Sequence, residues 1–424
     1  MNCISQPVCL SVILLLFLAR PAIGQDNIKA YTKAKSVAVN SVTESDSFTD
    51  LEPLGDAIGS ARVILLGEQS HGDGSSFQAK SRIVQYLHEQ KGFDVLIFES
   101  DFYSLQQGLK YNADSVFLRN NIFPIWTWCN SCSDLLYRYI PSTYQSERPL
   151  LVTGMDSQLH GEYAVKNLHP DFAAIIKRYF SEDDDLMEIA NVLERDIDSL
   201  ILFTAPKDSI TCLRICNSID SLLANEKVNR LLPAIWIQYL RSFRAQARVV
   251  MAHLLKNNDE YYLRDRQMAE NIDWLLNNTF KDKKVIVWAH NYHISKNSFD
   301  RFSPATNLHR SMGSFLAHEF NRENEMYILG FTSYQGFTDW TNSDSYDQVL
   351  GKPNKEGFEN WIPKSWMFAF TDFKSYNQNN GSKKEKFHMK GSVYLTHASA
   401  AMQWTDVFDG VFFIRNMSGC IVTE

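Results

Sequence analysis

The sequence predicts an α/β fold, with a mainly parallel central sheet, flanking helices and an inserted helical bundle. Three observations predict it. Short apolar runs of strand length recur, and several stop at polar, ionisable residues. The first two runs enclose an amphipathic stretch of helix length, which makes a strand–helix–strand unit. A long middle block has helical periodicity and little strand character.

The chain has 424 residues, enough for more than one packed unit. Its apolar and charged fractions are those of a globular protein. A net charge of -7 argues against nucleic acid as a partner, because phosphate binding needs a basic surface.

Val8 to Ala19 form an apolar run followed by Ala22-Ile23-Gly24, a small-x-small pattern. This reads as a signal peptide cut after Gly24, so the expectation is an exported protein, periplasmic or secreted. No Lys or Arg precedes the run, which leaves an uncleaved membrane anchor as the other reading, although the run is short for a bilayer span. No later segment is long and apolar enough to span. Cys3 and Cys9 leave with the signal, and five cysteines remain: Cys129, Cys132, Cys212, Cys216 and Cys420. An odd number leaves at least one free thiol or an intermolecular bridge. Cys129-Asn130-Ser131-Cys132 has redox-motif spacing but follows an aromatic run, so a structural disulfide or buried thiols are expected there instead.

After a polar stretch from Asp26 to Asp50, the first strand is Arg62-Val63-Ile64-Leu65-Leu66. It is continuously apolar, as a strand buried on both faces must be. It stops at Gly67-Glu68-Gln69-Ser70-His71-Gly72. Ser75 and Ser76 can cap the helix that follows, whose apolar positions Phe77, Ile83, Val84 and Leu87 keep a helical period. Lys91-Gly92 closes it, a cation followed by a C-terminal glycine. The next strand, Val95 to Phe98, ends at Glu99. Such units make parallel neighbouring strands, so Glu68, His71 and Glu99 are expected at one carboxyl edge, where open α/β sheets hold ligands.

The pattern recurs. Leu150 to Thr153 runs into Gly154-Met155-Asp156-Ser157-Gln158, and Val285 to Trp288 runs into Ala289-His290-Asn291-Tyr292-His293. Met326 to Phe331 is a fifth strand and Val411 to Ile414 the last. Between about Asp171 and Asn277 the chain is helical: Phe172, Ile175, Ile176 and Tyr179 share one face, as do Leu186, Ile189 and Leu193. Asp339 to Met389 reads as loops and short elements. The expected division is a signal peptide (1–24), a first part of the catalytic core (25–165), a helical insertion (166–280), and a second part of the core with a small α+β subregion (281–424).

His71 titrates near neutrality and can take a proton from water, with Glu68 orienting its ring; the bland alternative is that both merely bond the loop backbone. Glu99 ends an apolar strand, where a carboxylate is costly unless paired or solvated in a cleft. His290 and His293 are spaced to share a face of a helical turn. With Glu68 and Glu99 they are also suited to hold a divalent ion, although His-Glu-x-x-His is absent. The sequence has no Gly-x-Ser-x-Gly elbow, which argues against a serine nucleophile. Arg264-Asp265 ends the helical block, where an adjacent charged pair is usually a solvated helix face.

Gly67-Glu68-Gln69-Ser70-His71-Gly72, then Gly92-Phe93 and Glu99, resembles the opening signature of the erythromycin esterase family. Arg264-Asp265-Arg266-Gln267-Met268-Ala269-Glu270-Asn271 and Trp288-Ala289-His290-Asn291-Tyr292-His293 resemble its second and third blocks. Ser311-Met312-Gly313 and Gly330-Phe331 resemble weaker ones downstream. The resemblance implies an α/β core with a helical domain and hydrolysis of an ester, in some members the macrolide ring, with the antibiotic resistance that follows. It implies no metal or other cofactor. His71 is then the general base, Glu68 and Glu99 position the base and the water, and His290 and His293 bind or protonate the substrate oxygen. Arg264 and Lys80 are expected to bind substrate. Antibiotic-cleaving members carry arginine at the position of Lys80, and lysine keeps the charge but loses the planar fork. The expected partner is a small-molecule ester. Two other readings are a metal-dependent hydrolase or peptidase built on the same cluster, and a non-catalytic envelope protein that binds a ligand.

Overall fold

A computed structural model of the protein describes residues 27–43, 47–109, 114–202, 208–257, 259–297, 311–339, 348–381, 384–391 and 397–422. The expected signal peptide lies outside the described residues. The strands are β1 (Val37–Val39), β2 (Val63–Leu66), β3 (Phe93–Asp101), β4 (Leu151–Asp156), β5 (Lys284–Trp288), β6 (Met326–Thr338), β7 (Gln348–Leu350), β8 (Phe368–Asp372), β9 (Phe387–Met389), β10 (Ala400–Met402) and β11 (Gly410–Met417).

The main sheet has the order β1-β8-β11-β6-β2-β5-β3-β4, with β7 paired to β6. From β11 to β4 every neighbouring pair is parallel, while β8 and β1 add an antiparallel edge. The fold is therefore the mixed α/β arrangement with a mostly parallel sheet that the apolar runs predict. A separate two-stranded ribbon, β9 with β10, lies in the C-terminal part.

The central strands are buried on both faces, and their alternate residues feed two cores. Val63, Leu65, Val95, Ile97, Val285 and Val287 face one core, shared with the helical block through Phe172, Ile176, Leu186 and Leu193. Ile64, Leu66, Leu96, Phe98, Ile286 and Trp288 face the other, packed on Phe77, Ile83, Val84 and Leu87 of helix Gly74–Lys91. Continuous apolarity in the sequence is the trace of this two-sided burial.

Four expectations need correction. β2 and β3 are not neighbours, because β5 lies between them and bonds to both. The helix after β2 starts two to three residues earlier than its serines suggested: Asp73 is its N-cap residue, and Ser75 and Ser76 lie inside it. β1 was hidden in the polar stretch, and β8 in the region read as loops. β3 runs through Glu99 to Asp101, with a register shift against β4 between Phe98 and Asp101. The expected C-terminal glycine is in place: Gly92 takes a left-handed φ of 75° that a side chain would strain.

Cys129 is bridged to Cys420, and Cys132, Cys212 and Cys216 are buried thiols. Cys129 and Cys132 do not pair with each other. Burial pushes the Cys132 thiol up, away from the activated thiolate that redox chemistry needs.

Candidate active site

Parallel strands bring their carboxyl ends to one edge, and the ionisable residues of four of them meet there. Glu68 and His71 follow β2, Glu99 lies near the end of β3, Asp156 ends β4, and His290 and His293 follow β5. Asn291 ties these loops together. Its backbone N–H donates to Glu68 O (2.8 Å), its amide donates to Phe331 O and Gly391 O (2.8 Å each), and its carbonyl oxygen accepts from Phe331 N (3.1 Å). Gly67 is required beside it, because a Cβ there would collide with the Asn291 side chain.

Glu68 is fully buried and shared by two cations or donors. One oxygen lies 3.2 Å from His71 Nδ1, and the other accepts from Lys80 Nζ. Lys80 is also fully buried, 4.1 Å over the Trp288 ring and 3.3 Å from Ala289 O. Burial lowers its pKa, with Glu68 opposing the drop. The expectation that Lys80 binds substrate is therefore corrected. A side chain with no exposed surface cannot reach a ligand; it holds Glu68, and through it His71. The His71 ring remains 15% exposed, edge-on to Trp126 and to His290 at centroid distances of 5.6 and 5.4 Å.

The second half of the site is a buried charge network. Arg264 donates to Asp156 through Nε (2.9 Å) and Nη2 (2.5 Å), and to Glu99 through Nη2 (2.8 Å). Glu99 also accepts from the His290 backbone N–H (3.0 Å) and lies 3.1 Å from His293 Nε2. The pairing of β3 with β4 is irregular at this point, between Phe98 and Asp101. Burial would raise Glu99, but His293 and Arg264 overcome it and hold the carboxyl well below its ordinary range. His293 Nδ1 meets both oxygens of Asp265, at 2.8 and 2.9 Å. Burial would lower the His293 imidazole, yet Asp265 and Glu99 hold it up at about 10, so the ring is a cation at neutral pH.

His290 is the opposite case. Its Nδ1 accepts from Tyr292 N (3.0 Å) and its Nε2 donates to Gln69 O (2.9 Å), which fixes the neutral tautomer. Burial, then the neighbouring His71 and His293, pushes its pKa well below the ordinary 6.5. The two histidines expected to act alike are thus one neutral and one charged, with ring centroids 6.3 Å apart.

His71, His290, His293 and Arg264 line a cleft of about 440 Å³ together with Gln158, Tyr261 and Tyr292. That volume is within the range of small-molecule sites. Its outer wall comes from the helical block. Sequence reading missed Asp156, which merely ends a strand. It undervalued Asp265, whose signals were adjacency to Arg264 and a place in the second family block. The metal alternative finds little support in the donors. A metal needs the lone pair of a neutral ring, and His290 and His293 have both nitrogens committed to the protein. Among the described residues, no group of three or more His, Cys, Asp or Glu side chains is arranged to hold an ion.

The model of the family described as erythromycin esterase matches residues 88–417. YbfO of Bacillus subtilis (strain 168), provisionally named a hydrolase, is 23% identical over 412 residues, covering 88% of each chain. Erythromycin esterase type II of Escherichia coli is 22% identical over 356 residues, covering 73% of this chain and 77% of that one. In fold, a crystal structure of a Bacillus cereus protein matches with a TM-score of 0.72 and 22% identity over 93% of this chain and 98% of that one. A mutant of the erythromycin esterase EreC in its open conformation matches with a TM-score of 0.64 and 16% identity, covering 92% and 99%.

Proposed function

Because the chain belongs to the erythromycin esterase family, we propose that it is an exported esterase in which His71 activates water against an ester carbonyl, a macrolide lactone being the first substrate to test. Family membership and the names of its relatives indicate a hydrolase. The observation that carries the finer reading is the contrast among three histidines in one cleft. His290 is neutral and bonded to backbone at both nitrogens, and His293 is a cation between carboxylates. His71 is the more exposed ring, with a buried carboxylate at its Nδ1. A ring that donates Nδ1–H to a carboxylate presents Nε2 as the base.

In this reading His71 takes one proton from water as the water oxygen bonds to the carbonyl carbon. Glu68 stabilises the imidazolium that results, and Lys80 keeps Glu68 in place. The tetrahedral oxyanion forms at the cleft wall beside His293 and Arg264, whose positive charges offset part of its cost. As the bond from carbon to the alcohol oxygen breaks, His71 returns its proton to that oxygen. His290 then serves to hold the Gln69 backbone and the His71 ring, in place of the substrate contact expected from sequence. The cleft is sized for a small-molecule ester.

Export rests on the run from Val8 to Ala19 and the Ala22-Ile23-Gly24 site. No helix among the described residues is long and apolar enough to cross a membrane. Protein recovered from a native host is expected to begin at Gln25.

The test is mass spectrometry of erythromycin incubated with the mature chain, alone, with EDTA, and with His71→Ala. Addition of one water is expected, unchanged by EDTA and reduced about 10²- to 10⁴-fold in His71→Ala. Full activity in His71→Ala overturns the general-base role. Loss with EDTA, restored by a divalent ion, turns the reading to a metal-dependent hydrolase. No conversion moves the search to simpler esters.

A further inference from the structure

Asp265 lies in helix Glu260–Asn277 with no exposed surface, one residue beyond Arg264. Both its oxygens are spent on one ring nitrogen, Nδ1 of His293, at 2.8 and 2.9 Å. Its Oδ1 also accepts from the backbone N–H of Met312 (2.8 Å), at the start of the Ser311-Met312-Gly313 segment. That segment is itself seated on the loop after β5: Ser311 Oγ donates to Ser295 O (2.7 Å), and a Cβ at Gly313 would collide with the Ile294 backbone. The Asp265 carboxylate therefore cannot turn away from the ring. On the far side of the ring, Nε2 lies 3.1 Å from Glu99 Oε1.

We propose that Asp265 is a positioning residue that locks His293 as a fixed imidazolium at the cleft, so that His293 acts by charge and does not pass its proton to substrate. The inference rests on the hydrolase reading of this cleft and deepens it by dividing the labour between two histidines. His71 moves the proton; His293 keeps its own.

The groups around His293 support this balance. Asp265 comes from the helical block, and Glu99 from β3. Arg264 Nη1 lies 3.4 Å from Nε2, a second cation held beside the first by the shared Glu99. Asp156 neutralises Arg264 from β4. His290 is neutral, and the Tyr292 ring stands edge-on at 5.1 Å. Three carboxylates thus face two cations. A proton leaving His293 would strand Asp265, fully buried, without its partner, which is costly. A group that gives up its proton so reluctantly is a poor general acid near neutral pH; it stays charged and offsets the carboxylates around it.

The test reads the charge of His293 directly. Protein labelled with ¹⁵N at histidine is titrated by NMR, with the His293 signal assigned by its loss in His293→Asn. In the unsubstituted protein both ring nitrogens are expected to stay protonated at about pH 8, well above the ordinary imidazole range. In Asp265→Asn the ring is expected to be neutral at that pH, while Asp265→Glu keeps it charged. This arm needs no turnover, so it stands even if erythromycin is not the substrate. The second arm is kcat/KM for erythromycin against pH. Its alkaline limb is expected to fall from about 10 toward 6.5 in Asp265→Asn, a change that simple loss of packing does not produce. A neutral His293 in the unsubstituted protein at about pH 8 overturns the proposal whether or not the variants fold. A His293 still charged in a folded Asp265→Asn overturns it equally.

Discussion

Glu68 and Lys80 face each other with no exposed surface, under the indole of Trp288. Each has little purpose without the other. Removing one partner of such a pair leaves a buried, uncompensated charge, which costs about 3–5 kcal/mol. Lys80→Met is therefore expected to lower the unfolding free energy by about that amount in urea titration, and to abolish hydrolysis by releasing Glu68. Glu68→Gln with Lys80→Met should recover most of the stability and none of the activity. If the double variant is as unstable as the single one, the pair is not the source of the loss. The family resemblance placed Lys80 at the substrate, and a lysine nearly two turns into a helix looks the same in sequence whether it faces solvent or core. Its position relative to Glu68 was visible; its burial was not. His290 and His293 make the same point. Their spacing marked both as site residues, but which one carries a charge depends on Gln69, Tyr292, Glu99 and Asp265, brought together from distant parts of the chain.

At the scale of elements, the helix that follows His71 is held by the far end of the chain. Ser75 N donates to Ser418 O (3.2 Å), the two serine hydroxyls lie 2.7 Å apart, and Cys420 N donates to Gly72 O (3.1 Å). The Cys129–Cys420 bridge fixes this tail across 291 residues of sequence. A bridge closing so long a loop constrains the unfolded chain strongly, and losing it typically costs about 2–5 kcal/mol. Replacing Cys129 and Cys420 by serine is expected to lower the thermal midpoint and to reduce hydrolysis, because the loop carrying His71 loses its support at Gly72. Substituting Cys132 alone should leave the bridge intact. Equal midpoints for the double variant and the unsubstituted protein would remove the bridge from the account. Serines near the start of the helix drew attention as caps, but the Ser75 hydroxyl answers to Ser418, just past β11 and 343 positions away, which no local pattern can reveal. β5 entered between β2 and β3 for a similar reason: a strand–helix–strand unit specifies hand and direction, not what a later strand inserts.

For the whole molecule, the buried ionisable groups set how stability varies with pH. The folded protein keeps His290 neutral below 6.5, where the unfolded chain takes up a proton, so this contribution is lost as pH falls below 6.5. His293 works in the other direction. Its folded value is raised from 6.5 to about 10, so its contribution is fully present below 6.5 and is lost as pH rises toward 10. Glu99, held below its ordinary 4.5, loses its contribution as the medium becomes more acid than that. The unfolding free energy of the unsubstituted protein, measured against His293→Asn, should therefore show a difference that shrinks between pH 6.5 and 10. A difference that stays flat over that window would mean His293 is neutral in the fold.

The sequence by itself determined the parallel sheet and the identity of its carboxyl edge. Strands buried on both faces must be continuously apolar, so an ionisable residue at the end of such a run marks where the strand leaves the core. That rule placed Glu68, His71, Glu99, His290 and His293 near one another before any coordinates. It also marked the opening helix, whose end at Gly92 follows from a backbone angle that glycine adopts without strain. Tertiary structure alone decided the charge of each group. Burial and hydrogen-bond partners set protonation, and those partners come from β3, β4, the helical block and the segment at Met312, joined only when the sheet closes. Residue type and spacing name the candidates for chemistry; the low dielectric between packed elements decides which of them is base, which is cation and which is scaffold.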